Sequence, residues 1–156
     1  MPRLQRTATI LGIALICSIV AGCGIFPGDE PDGERPGEGF QLCDDSMLLP
    51  DDTYTVYGAA YAGDDNLEID VGYSGGCESH EWTLCWDGNF MESDPVQVTL
   101  DLRHEANNDM CEAYIEETLE FELDELRQAY SDGYGGDSGT IVIGLKDDGE
   151  SVTYEW

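Results

Sequence analysis

Basic charge is what this chain has least of. Its 156 residues include six Lys and Arg against 34 Asp and Glu, and two histidines. Phosphate backbones are gripped by clusters of Lys and Arg, so nucleic acid is excluded as a partner. Direct contact with anionic lipid headgroups is disfavoured for the same reason. Long apolar runs are also missing. Ile10 to Val20 is the sustained one, about half of the roughly 20 residues a spanning helix needs, so a permanent anchor helix is not expected. There is no Gly-x-Ser-x-Gly nucleophile elbow, no phosphate-binding glycine loop and no internal repeat. Among 34 acids any pair of carboxylates is ordinary, so none can be singled out for hydrolytic chemistry.

The amino-terminal end is what the chain does have. Arg3 and Arg6 precede the apolar run, and Ala21 and Gly22 supply small residues before Cys23. This is the layout of a secretory signal over residues 1–22. The run Val20-Ala21-Gly22-Cys23 resembles the lipobox of bacterial lipoproteins. That resemblance implies cleavage before Cys23, a diacylglycerol on its sulfur and usually an acylated amino terminus. The expected cofactor-like group is thus a covalent lipid, and the expected first partner is a membrane reached through it. Each buried methylene contributes roughly 0.8 kcal/mol, and two or three chains hold firmly where one holds marginally. Gly24 follows the cysteine where enterobacterial inner-membrane lipoproteins carry Asp, so the resemblance leans toward the outer membrane of the cell envelope, facing the periplasm or the cell surface.

Removing 22 of 156 residues leaves 134, enough for one ordinary domain with a real core. Its bases are Arg35, Arg103, Arg127 and Lys146; four bases against 34 acids leave a formal charge of −30. The acidity serves solubility, or the capture of cations or a basic partner. Residues 23–40, the lipidated cysteine followed by GIFPGDEPDGERPGEGF, are Gly, Pro and acid with little to bury. Such a stretch is expected to be a flexible stalk, reaching on the order of 50 Å when extended. The domain is expected over 41–156.

That domain reads as strands. Apolar and polar residues alternate in 67–73, 80–86, 96–102 and 118–123, the mark of half-buried strands. Residues 53–61 add an earlier one. Segments 140–145 and 151–156 flank the turn-rich Lys146 to Glu150 and form a hairpin. A short helix fits Asp124 to Tyr130, with Asp124 as its cap. About seven short strands with Gly and Asp turns predict an all-β fold, an antiparallel β-sandwich, Ig-like or barrel-like.

Four cysteines remain after Cys17 and Cys23 are set aside, and in an oxidising envelope they read as two disulfides. If strands 80–86 and 96–102 are antiparallel neighbours, the start of the first lies beside the end of the second. Cys77 lies just before that start and Cys111 a loop beyond that end, which pairs them. Cys43 is left with Cys85, which sits on the parity opposite Trp82 and Trp86.

The same geometry brings His80 and His104 together, near Cys77 and Cys111. Those four would make a Cys₂His₂ set of zinc's preferred ligand types. The alternative is a Cys77–Cys111 bridge with both histidines at the sheet rim, or the two histidines holding a metal with a neighbouring acid such as Glu78 or Glu105. The runs 63–66 and 132–137 could offer oxygens to calcium, but without EF-hand spacing they read as turns. Tyr54, Tyr57 and Tyr61 lie on a pattern that exposes at least one ring, and such rings anchor partners as well as pack cores.

Gly75-Gly76-Cys77 followed by His80 resembles the β-sandwich domain of NigD-like bacterial lipoproteins over about residues 55–156, without room for the additional amino-terminal domain expected of that group. The resemblance implies a secreted lipoprotein with little assigned biochemistry. Taken together, the expectation is a membrane-anchored lipoprotein whose disulfide-stabilised β-domain is a non-enzymatic binding or structural module, its partner an envelope protein or a cation. The alternative is a metal-binding envelope protein, holding zinc through Cys and His or a cation through surface acids.

Overall fold

A computed structural model describes residues 38–44, 47–149 and 151–156. The signal segment, the lipobox with Cys23 and most of the expected stalk lie outside the described residues. Eight strands and one helix follow in order: β1 Glu38–Leu42, β2 Tyr54–Gly63, β3 Asn66–Gly75, β4 Glu81–Trp86, β5 Val96–Glu105, β6 Ala113–Glu122, α1 Asp124–Tyr134, β7 Thr140–Leu145 and β8 Ser151–Glu155. The fold is all-β, in two sheets. One has five strands in the order β1-β4-β5-β7-β8, the other three in the order β2-β3-β6.

Alternation decides which side chains face inward. Leu67, Ile69 and Val71 of β3 meet Leu84 and Trp86 of β4, Val98 and Leu100 of β5, and Ile141 and Ile143 of β7 in one core. A fully buried side chain of this size contributes roughly 1.5–3 kcal/mol. Helix α1 adds Leu126 to the same cluster.

Three features depart from the expectation. β1 takes in Glu38 to Phe40, which read as the end of the stalk, and pairs parallel with β4. β5 pairs parallel with β7, because β6 and α1 intervene before the chain returns to the sheet. The five-stranded sheet is therefore mixed. The helix cap also differs. Leu123 occupies the N-cap without a side-chain hydrogen bond, and Asp124 is the first helical residue, where its charge suits the helix dipole.

The 63–66 segment is a tight hairpin turn. Asp64 and Asp65 both have positive φ, 49° and 63°, as a two-residue turn matched to strand twist requires. Asp65 Oδ1 accepts from the Tyr154 hydroxyl at 2.7 Å, its Oδ2 pairs with Arg127, and its carbonyl accepts from the Leu123 N–H. These oxygens lock the hairpin to β8 and α1.

Candidate functional site

Two places gather chemistry: the rim where the expected Cys and His set lies, and the outer face of the three-stranded sheet.

At the rim, β4 and β5 pair antiparallel with Trp82 opposite His104 and Glu81 opposite Glu105. This register brings Cys77 to Cys111, and the two are bonded with Cα atoms 5.9 Å apart. Cys43 follows β1, whose Gln41 lies opposite Cys85, and Cys43 and Cys85 are bonded with Cα atoms 5.4 Å apart. Both pairs are those expected.

The histidines meet, but not as rim residues in water. His104 is 1% exposed and stacks flat on Trp82 at 4.0 Å between ring centroids. Its Nδ1 lies 3.3 Å from the Asp52 carbonyl, which can only accept, so that nitrogen carries the proton. Its Nε2 faces His80 Nδ1 across a hydrogen bond of 2.7 Å. Two nitrogens on one zinc stand roughly 3.3 Å apart, given bonds of about 2.0 Å and tetrahedral angles. The facing nitrogens are thus a hydrogen bond rather than two ligands of one ion. Burial pushes the His104 imidazole below its usual range.

Asp109 ties this corner together. Its Oδ2 accepts from the backbone N–H groups of Gly76, Cys77 and Glu78 at 2.8, 2.8 and 3.0 Å, and its Oδ1 from Cys111 N–H at 2.8 Å. Those N–H groups hold its carboxyl far below the usual range. His80 Nε2 lies 3.4 Å away, and both side chains are sealed from solvent. Gly75 makes the room: a Cβ there would stand 2.5 Å from His80 Nε2.

The outer face of the three-stranded sheet was the less legible place. Of the three flagged tyrosines, Tyr54 donates to the Leu102 carbonyl at 2.5 Å and Tyr61 packs on Tyr154. Tyr57 is 52% exposed. Pairing between β2 and β3 shifts register between Val56 and Gly58, so Tyr57 is the extra residue of a β-bulge. Its hydroxyl touches that of Tyr114 on β6, itself 58% exposed. That contact is the first cause holding the Tyr57 hydroxyl up at about 12. Both hydroxyls lie over Gly72, where a Cβ would stand 2.5 and 2.6 Å from them. Beside the pair runs a groove of about 420 Å³ lined by Tyr57, Asp70, Val71, Glu116, Glu117 and Thr118.

The chain matches no protein-family model and no curated protein sequence. Its likeness is one of fold. A NigD-like immunity protein from Bacteroides caccae superposes with a TM-score of 0.51 at 18% identity, over 77% of this chain and 63% of that one. A candidate lipoprotein from Bacteroides fragilis gives 0.47 at 12% identity, over 77% and 68%. A candidate toxin-related protein from Parabacteroides distasonis gives 0.47 at 20%, over 77% and 60%. This chain therefore spans less than two thirds of the length of the first of them. The β-sandwich likeness read from Gly75, Gly76, Cys77 and His80 has a counterpart in the three-dimensional fold.

Proposed function

We propose that this protein is a lipid-tethered binding or structural module of the bacterial cell envelope, not an enzyme. The observation that carries the reading is how the chemical groups of the rim are engaged. The four domain cysteines are bonded in pairs, and the two histidine side chains are turned on each other and sealed from solvent. Asp109 is enclosed by backbone N–H groups. A general base needs a reachable proton on a substrate, and this cluster faces inward. What the domain offers outward is a sheet face with a tyrosine pair. The tether follows from the lipobox resemblance at Cys23, and the outer membrane from Gly24.

A second reading, metal binding, has one observation in its favour. Sulfurs of Cys77 and Cys111 and a carboxylate oxygen of Asp109 lie within 4.8 Å of one another. It requires the bridge to be reduced, since a metal takes thiolates and not a disulfide.

Intact mass of the natively exported protein, before and after reduction and with a metal assay, tests both. A chain starting at lipid-modified Cys23, with thiols appearing on reduction alone, supports the tethered module. An unmodified Cys23 contradicts it. Free Cys77 and Cys111 with stoichiometric zinc would establish the second reading instead.

A further inference from the structure

The tyrosine pair sits on a face with one sign of charge. β2, β3 and β6 contain no Lys, Arg or His. Asp70 and Glu116 share the groove with Tyr57, and Thr118 Oγ1 donates to Asp70 Oδ1 at 2.6 Å, fixing that carboxylate. Two of the three cations among the described residues, Arg103 and Lys146, lie instead on the five-stranded sheet and its following turn, where both reach Asp101 Oδ2. The third, Arg127, is on α1.

The shelf is also built. A bulge bends the strand and re-aims one side chain, here Tyr57. A glycine within a strand marks a close approach, here Gly72 beneath two hydroxyls. The result is a pair of exposed rings beside two carboxylates, Glu116 and the Asp70 that Thr118 holds.

We propose that this shelf docks a basic polypeptide segment, with an arginine or lysine lying on the Tyr57 and Tyr114 rings and its charge toward Asp70 and Glu116. Tyrosine faces attract such cations, guanidinium most often. Opposite charge across the contact speeds encounter and sets specificity. The proposal rests on the binding-module reading above and names the chemistry of its partner.

The probe is fluorescent hexa-arginine, titrated into the full mature protein extracted in neutral detergent. Three variants are compared with the native protein: Tyr57→Ala with Tyr114→Ala, Asp70→Asn with Glu116→Gln, and Asp124→Asn with Glu125→Gln and Asp132→Asn on α1. Both shelf variants should bind about tenfold more weakly, as loss of an aromatic or charged anchor does, and the helix variant should change less than about twofold. Equal loss in the helix variant would show attraction to net charge alone and overturn the proposal. Shelf variants that bind like the native protein would overturn it too. If the alanine pair does not fold, the Asn and Gln variant carries the test, because it leaves the rings in place. Mass of the same preparation reports the lipid separately. A missing lipid overturns the tethered reading without touching this result, and a lipidated protein with indifferent shelf variants overturns the docking alone.

Discussion

Gly75 is small because His80 and Asp109 fill the space its side chain would take, with Asp109 Oδ2 3.1 Å from a Cβ built there. Gly75→Ala should therefore lower stability by about 1–3 kcal/mol, the usual range for overpacking; an unchanged urea midpoint would contradict the packing described. His104 adds a pH dependence. Its folded pKa lies below the ordinary 6.5, first because it is buried. The unfolded chain then binds more protons in the window beneath 6.5, so the contribution is complete above 6.5 and is lost as pH falls through the folded value. Asp109 acts lower down, losing its contribution as pH falls below 3.8. Relief of repulsion among the acids runs the other way on acidification, so the informative quantity is a difference. The gap in unfolding free energy between the native protein and His104→Phe should shrink from pH 7.5 to pH 5. A gap that stays constant would mean His104 titrates as it does in the unfolded chain.

At the scale of elements, Asp65 ties the β2–β3 hairpin to β8 and α1 through one carboxylate and one carbonyl. Asp65→Ala leaves the buried Tyr154 hydroxyl unpaired and puts alanine at a positive φ, which together should cost about 2–4 kcal/mol. Thermal unfolding of the variant checks this, and Asp65→Asn should lose less. Alternation made most strands legible, because a half-buried sheet face must repeat every second residue. It left β1 hidden, since Glu38 to Leu42 carries glycine and follows a Gly and Pro stretch. Alternation also says nothing about partners, so the two parallel pairings were out of reach. The disulfides were legible because antiparallel neighbours bring strand ends together. The meeting of His80 with His104 was legible for the same reason, but the stacking on Trp82 that buries His104 was not. For the tyrosine shelf the signal was the spacing of Tyr54, Tyr57 and Tyr61, which pointed to an exposed ring without saying which, and nothing pointed to Tyr114. The bulge that selects Tyr57 over Tyr54 and Tyr61 leaves no mark in periodicity.

The molecule as a whole carries a formal charge of −28 before processing, and like charges oppose a compact state until salt screens them. Melting temperature should therefore rise between low and moderate salt, and a flat response would mean the acids are compensated within the fold. The two bridges, with sequence separations of 42 and 34 residues, should each add about 2–4 kcal/mol, mainly by restraining the unfolded chain. The measurement closest to the central claim remains intact mass of the exported protein before and after reduction. A tethered, bridge-locked module predicts a chain beginning at lipid-bearing Cys23, with Cys43 linked to Cys85 and Cys77 to Cys111. A chain with an unmodified Cys23, or one carrying zinc on free Cys77 and Cys111, would contradict it.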